Sequence, residues 1–287
     1  MLRRQTEGAV VCSSCGTLVG VNDATCLNCG RRNPGLWGYA PLLRRLGQDL
    51  GFVTLITTAC GVLYVVTLLM SGQRMQMGGG LFSMLSPDIV SLYLLGASGA
   101  VPVFGYGRWW TVLSAGWLHG GLLHVVFNMM WVRQLAPATA DLYGPGRTVI
   151  IYTVAGACGF IASSSAGILL AWMPLPMLRG APFTVGASAA IFGLLGAVVY
   201  YGRRSGMSAV RSQALGYAIT MGVFGLIMPG IDNFAHGGGF VGGYLAGRIM
   251  DPLLPERLDH LLIALGCLVV SALAIVASFV LGLPQVR

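Results

Sequence analysis

Long apolar runs with almost no charge restrict this chain to a fold that crosses a membrane. A transmembrane helix needs about 20 mostly apolar residues. Runs of this kind occupy residues 52–70, 148–172, 183–201, 213–229 and 261–283. Two weaker candidates, 121–141 and 233–250, contain polar residues or many glycines. The chain is therefore predicted to be an all-α polytopic membrane protein with seven spans.

The charge composition excludes a water-soluble protein of this length. Only 9% of the residues are charged, whereas soluble domains carry about 25%. The net charge of +8 comes from arginine, because the chain has no lysine. A basic chain can bind nucleic acid, but these arginines lie in short segments between the apolar runs, as topology signals do. We therefore expect the lipid bilayer as a partner and no nucleic acid.

The distribution of arginine also predicts the orientation. With seven spans and a cytoplasmic N-terminus, the arginines outside are Arg74, Arg108, Arg179 and Arg287. An eighth uncharged stretch, 89–107, is interrupted by glycines and a proline. Counting it as a span would place the arginines of 203–211 outside, against the positive-inside rule. We therefore expect a loop or re-entrant segment at 89–107, and a C-terminus outside.

Four cysteines before the first span predict a metal site. Cys12 and Cys15 form one C-x2-C pair, and Cys26 and Cys29 form a second. Two such pairs supply the four thiolates of a tetrahedral zinc site. Two disulfides are the alternative, but thiols stay reduced in the cytoplasm. We predict a cytoplasmic zinc-ribbon-like module over 1–33, with structural zinc and an unidentified cytoplasmic partner, and a juxtamembrane linker over 34–51.

Two polar residues lie at the same depth in different spans. Ionisable groups inside a membrane are costly and are functional candidates. Ser188 and His236 both lie near the outer end of spans that run inward. His236 shares a helical face with Gly239 and Gly243, and glycines at this spacing let two helices approach closely. If the neighbouring helix carries Ser188, the imidazole can activate its hydroxyl as a nucleophile.

A third polar cluster supplies hydrogen-bond donors. His124 and Asn128 are four residues apart, so they share a helix face. Two donors beside a nucleophile can stabilise a developing oxyanion. A single serine or histidine in a membrane helix is more often structural, but three such groups at compatible depths favour a site.

Other intramembrane chemistries lack their residues. The chain has no H-E-x-x-H motif for a zinc protease and no pair of intramembrane aspartates. A transporter, whose path polar groups and broken helices can line, stays a weaker alternative.

Several motifs together resemble the rhomboid family of intramembrane serine proteases over about residues 50–250. They are Leu95-Gly96-Ala97, Trp110, His119-x4-His124-x3-Asn128, Gly186-x-Ser188 and Ala235-His236-x2-Gly239-x3-Gly243. Two positions depart from the family pattern, because Ala189 replaces a common glycine and Thr111 replaces a common arginine.

The resemblance implies a catalytic site without a third acid. Ser188 would be the nucleophile and His236 the general base and acid. The oxyanion hole would consist of His124, Asn128 and the backbone amide of Ser188. Supporting roles would fall to Gly186, Phe192, Gly239 and Gly243, with Phe192 packed on the catalytic imidazole and His119 structural.

The resemblance also implies an architecture and an activity. We expect a six-span core over 52–250, a cytoplasmic linker over 251–260, and a seventh transmembrane helix with a tail over 261–287. The expected activity is cleavage of transmembrane segments of membrane proteins near the extracytoplasmic face, without a catalytic cofactor, in a bacterial inner membrane. A non-proteolytic rhomboid-like protein that binds membrane clients is the main alternative.

Overall fold

The structure, a computed structural model, describes residues 4–12, 15–41, 49–76, 84–175, 178–228 and 230–285. Part of the predicted linker 34–51, the last residue of the predicted span 213–229 and the end of the predicted tail 261–287 lie outside the described residues. Within the described ranges the chain is mostly helical, and its N-terminal part contains one small strand pair. The predicted all-α fold with a small N-terminal module is confirmed.

The N-terminal module is built on an antiparallel strand pair. Strand β1 (Ala9–Val11) pairs with β2 (Leu18–Gly20), and Val10 lies opposite Val19. These two valines pack with Val21, Cys12, Cys26 and Cys29 in a very small apolar cluster. A cluster of this size contributes little folding energy, so such modules usually need a bound metal to stay folded.

The part of the chain that the structure describes contains nine α-helices. They are α1 (Phe52–Ser71), α2 (Ile89–Leu95), α3 (Thr111–Ser114), α4 (Leu122–Tyr143), α5 (Pro145–Leu169), α6 (Ser188–Arg204), α7 (Ser208–Ile227), α8 (Asn233–Ile249) and α9 (Leu258–Gly282). Seven of these are long, and each corresponds to one predicted span. Two of them begin five residues from their predicted starts: α6 begins later, at Ser188, and α7 begins earlier, at Ser208.

Three of the long helical segments are long and apolar enough by themselves to cross a membrane. They are Phe52–Arg74, Pro145–Leu169 and Leu258–Gln285. The others are short, as are α6 and α8 with 17 residues each, or contain polar residues, as α4 does. The helices that carry the candidate site residues are therefore the ones with the weaker membrane signal.

The stretch 89–107 does not form a single spanning helix. It contains α2 and a separate helical turn at Val101–Gly105. Leu92, Leu95 and Ala97 are buried and pack with Leu118. We call residues 89–118, which also include α3, the first loop.

Glycines set the centre of the helical bundle. The most extensive helix contacts join α8 to α6 and to α5. A Cβ on Gly239 would lie 2.0 Å from the carbonyl oxygen of Ala189, and one on Gly243 would lie 2.0 Å from that of Gly193. The glycine face of α8 therefore touches the backbone of α6, as the glycine spacing indicates.

Candidate active site

Ser188 is the first residue of α6 and not part of its interior. The sequence suggested a helix from residue 183, but 183–187 form a loop. Gly186 has a φ of +130°, which breaks the helix and which other residues rarely adopt. Thr184 exchanges two backbone hydrogen bonds with Ser98 in the first loop. These tertiary hydrogen bonds replace the helical ones, so α6 begins later than predicted.

His236 lies one turn into α8 and contacts Ser188. Its Nε2 is 2.9 Å from the Ser188 Oγ, and the side chain is buried at 8% exposure. The next turn brings Gly239 against α6, which is what lets a short serine side chain reach the ring. An imidazole whose Nε2 accepts from the hydroxyl carries its proton on Nδ1.

Phe192 fixes the plane of the imidazole. Its ring stacks on that of His236 with a centroid distance of 4.2 Å and an interplanar angle of 16°. The Nδ1 of His236 is buried, and among the described residues it has no hydrogen-bond partner. In that part of the chain, therefore, ring stacking and not a third acid orients the imidazole.

His124 presents a donor to the same place. Its Nδ1 accepts a hydrogen bond from the backbone N–H of Gly120 at 3.3 Å, so the neutral ring carries its proton on Nε2. A Cβ on Gly186 would lie 2.6 Å from this Nε2 and 3.8 Å from the Ser188 Oγ. Gly186 therefore leaves the space in which His124 Nε2 can lie near the Ser188 hydroxyl.

The other two predicted oxyanion donors differ in their surroundings. Asn128 is buried, and its Nδ2 donates to the carbonyl of His124 at 2.8 Å, which uses one of its two N–H groups. The amide of Ser188 lies at the N-terminus of α6, where N–H groups lack helical partners and the helix dipole is positive. That end of α6 favours a developing negative charge.

His119 is packed behind the site. It is fully buried, and its ring lies edge-on to His124 with a centroid distance of 5.2 Å. Neither of its ring nitrogens has a hydrogen-bond partner among the described residues. His119 therefore packs against His124.

The sequence reasoning missed Asp232 and Ser163. Asp232 caps α8 through a hydrogen bond from the Ala235 amide at 3.0 Å. Ser163 in α5 donates its hydroxyl to the other carboxylate oxygen of Asp232. An aspartate just before a helix is a capping signal, and it agrees with the predicted start of this span at residue 233.

The four cysteines of the N-terminal module converge as the C-x2-C pairs predict. Their sulfur atoms all lie within 4.8 Å of one another. Cys12 and Cys29 are 3.8 Å apart and Cys15 and Cys26 are 3.6 Å apart. Zinc–sulfur bonds of about 2.3 Å in a tetrahedron place sulfurs about 3.8 Å apart, whereas a disulfide needs about 2.05 Å. The geometry therefore fits a metal ion and not two disulfides.

Two of these thiols have opposite tendencies to ionise. Burial raises the pKa of Cys29 to about 12. Burial also acts on Cys15, but hydrogen bonds with Thr17 outweigh it and lower the pKa of Cys15 to about 6. Metal ligation requires thiolates. Of these two thiols, Cys15 would lose its proton more easily.

Comparisons with a family model and with individual known proteins all indicate the same family. The Rhomboid domain model matches residues 106–252. Rhomboid protease GluP of Bacillus subtilis is 33% identical over 147 residues, which cover 50% of this chain and 26% of that protein. RHOMBOID-like protein 7 of Arabidopsis thaliana is 30% identical over 175 residues, which cover 58% of this chain and 51% of that protein. Putative rhomboid protease YdcA of Bacillus subtilis is 30% identical, covering 55% of this chain and 72% of that protein. The chain thus spans about a quarter to a half of the length of the first two relatives.

Proposed function

Because the chain belongs to the rhomboid family, we propose that it is an intramembrane serine protease that cuts transmembrane segments of other membrane proteins. The observation that carries this proposal is the 2.9 Å contact between the Ser188 hydroxyl and the His236 imidazole. A serine hydroxyl is a poor nucleophile until an adjacent base takes its proton. The relatives named as proteases support the class of reaction.

The first half-reaction forms an acyl-enzyme. Ser188 Oγ attacks the carbonyl carbon of the scissile bond while His236 Nε2 takes the hydroxyl proton. The carbonyl oxygen becomes an oxyanion beside His124 Nε2 and the Ser188 amide, with Asn128 one turn away. Donors fixed in advance at this point stabilise the charge as it develops. His236 then gives its proton to the leaving amine.

The second half-reaction hydrolyses the acyl-enzyme. His236, neutral again, takes a proton from water as the water attacks the ester carbonyl. Ser188 and His236 lie near one end of their helices, so water needs to enter only from that side of the bundle. With the N-terminus in the cytoplasm this side is extracytoplasmic, and we propose the inner membrane of a bacterium as the location.

We also propose that the N-terminal module binds structural zinc. Cys12, Cys15, Cys26 and Cys29 would hold the ion, which would supply the folding energy that the small apolar cluster lacks. The reaction at Ser188 needs no cofactor in this proposal. A cytoplasmic protein is the proposed partner of the module.

Two substitutions test the protease. Purified Ser188→Ala and His236→Ala proteins, in detergent or vesicles, are incubated with a model transmembrane substrate, and the products are measured. Ser164→Ala is the matched control, since Ser164 is a fully buried serine in α5 whose hydroxyl has no hydrogen-bond partner among the described residues. We expect cleavage by the wild-type and control proteins, and none by the other two.

Undiminished cleavage by Ser188→Ala or by His236→Ala would overturn the assignment of the dyad. A wild-type protein that binds the substrate without cutting it would instead favour the client-binding alternative.

A further inference from the structure

The seventh long helix, α9, packs against the first loop, and one buried serine of α9 makes two hydrogen bonds across this contact. The carbonyl of Ser278 accepts a hydrogen bond from Arg108 Nη2 at 2.7 Å. Its hydroxyl accepts a second hydrogen bond from the indole N–H of Trp110 at 3.1 Å. Ser278 is fully buried. Both the backbone and the side chain of one residue therefore fix the same part of the first loop.

Arg108 is a buried charge without a carboxylate partner among the described residues. Its side chain is 1% exposed, and its guanidinium lies 4.0 Å from the ring centroid of Tyr93 in α2. Burying an arginine is expensive unless its hydrogen bonds and contacts are well placed. Its placement joins α2, α9 and the connecting chain into one unit.

Gly96 lies at the contact between the first loop and α9. A Cβ at this position would lie 2.2 Å from the hydroxyl oxygen of Ser114 and 2.7 Å from that of Ser278. Gly96 has a φ of +105°, and its carbonyl accepts from the Ser114 hydroxyl at 2.8 Å. The first loop and α9 therefore meet with no space between them.

The opposite side of the first loop holds the segment before Ser188. The amide of Ala100 donates to the carbonyl of Ala181 at 3.0 Å, and the amide of Gly186 donates to the carbonyl of Ala115 at 3.0 Å. The pair of hydrogen bonds between Ser98 and Thr184 lies between these two. Residues 181–186 are therefore bonded along their length to a loop that is itself bonded to α9.

We propose that α9 positions the nucleophile of the reaction through the first loop. Ser278 fixes Trp110 and Arg108, and the first loop then fixes the segment that presents Ser188 and Gly186 to His124. Ser278, Trp110 and Arg108 are positioning residues, since they touch neither Ser188 nor His236. The inference rests on the proposed protease activity and adds a role for a helix outside the six-helix core.

The test removes the hydrogen bond between Trp110 and Ser278, once by deleting its donor and once by deleting its acceptor. Trp110→Phe deletes the indole N–H and keeps an aromatic ring, and Ser278→Ala deletes the hydroxyl. Trp109→Phe is the control for the first, because Trp109 is 68% exposed. Ser271→Ala is the control for the second, because Ser271 is buried in the same helix but bonds to the Cys267 carbonyl at 2.8 Å.

Two rates are measured for each full-length protein. One is kcat, with KM, for a transmembrane substrate, and the other is the rate at which a fluorophosphonate labels Ser188. We expect Trp110→Phe and Ser278→Ala to lower kcat and labelling about fivefold, the effect of one typical hydrogen bond, with little change in KM. In the double variant, kcat and the labelling rate should be no lower than in either single variant, because both changes remove the same hydrogen bond.

The outcomes separate this inference from the protease itself. A wild-type protein that neither cleaves nor labels would contradict the proposed function, whatever the variants do. If the wild type is active and both variants match their controls, the positioning role is wrong. It is also wrong if the variants lower only the melting temperature while kcat and labelling of the folded protein stay at the wild-type value. Should Ser278→Ala fail to fold, Trp110→Phe alone decides, because it keeps the ring.

Discussion

Two regions hold Ser188, and they do so by different physical means. On one side, Gly239 and Gly243 bring α8 into backbone contact with α6, so that His236 reaches the hydroxyl. On the other side, the first loop holds residues 181–186 by hydrogen bonds. The first region depends on the absence of side-chain atoms, and the second on donors and acceptors placed in advance. Single added atoms should therefore disrupt the first, while single lost hydrogen bonds should only weaken the second.

The largest effect is expected from one added methyl group in the glycine interface. In Gly239→Ala the new Cβ would lie 2.0 Å from the Ala189 carbonyl oxygen, which forces the two helices apart. Displacing reacting groups by about 1 Å can lower the rate about 100-fold, and a methyl group this close to the carbonyl oxygen needs a larger displacement. We therefore expect cleavage to fall to the level of Ser188→Ala. Cleavage and circular dichroism of the purified protein are the measurements.

Gly237→Ala is the matched control, since a Cβ there meets nothing within 4 Å. It lies two residues from Gly239 on the same helix. Equal activity of the two alanine variants would show that close helix approach does not hold the dyad.

The next largest effect is expected from the loss of one oxyanion donor. His124→Ala removes the Nε2–H that faces Gly186 and Ser188, and a loss of this kind lowers kcat about 100-fold. KM should change little, since the donor acts on the transition state. A variant that raises KM and leaves kcat unchanged would place His124 in substrate binding and not in catalysis.

A smaller effect is expected from the ring that stacks on the imidazole. Phe192→Leu keeps an apolar side chain and removes the stacking at 4.2 Å. An aromatic pair contributes about 1 kcal/mol, so kcat should fall about fivefold. Steady-state kinetics at a saturating substrate concentration measure it. Wild-type kcat in this variant would mean that the position of α8 alone orients His236.

The smallest effect on cleavage is expected from the N-terminal module, which contains none of the proposed catalytic residues. Cys26→Ser removes one ligand of the proposed zinc site, so bound zinc measured by elemental analysis should fall well below one ion per chain. Cleavage should stay within about twofold of wild type, as expected for two sites that share no hydrogen-bond partner. Unchanged zinc content would contradict the metal site, and a large loss of cleavage would show that the module acts on the core.

The same two regions differ in how far the sequence predicts them. Gly239, Gly243 and Gly247 of α8 are four residues apart, so the face of close approach follows from their spacing, whereas the identity of the helix that packs on it does not. The start of α6 does not follow either, because residues 183–187 continue the apolar pattern, and the helix is delayed by the positive φ of Gly186 and by hydrogen bonds to distant residues such as Ser98. The contact between Arg108 and Ser278 likewise joins residues far apart in the chain, and no local pattern marks it.

The N-terminal module is a third case. Two C-x2-C pairs fix both the ligands and their approximate geometry, because tetrahedral ligation allows few arrangements. The structure brings Cys12, Cys15, Cys26 and Cys29 together as their spacing predicts. The sequence gives no comparable signal for what binds to this module.

The proposed pairing of Ser188 with His236 is tested most directly by labelling the wild-type protein with a fluorophosphonate and locating the adduct by peptide mass spectrometry. We expect one adduct, on Ser188, and a labelling rate at least about 1,000-fold lower in His236→Ala. An unmodified Ser188 in a preparation that cleaves a transmembrane substrate, or equal labelling without the imidazole, would contradict it.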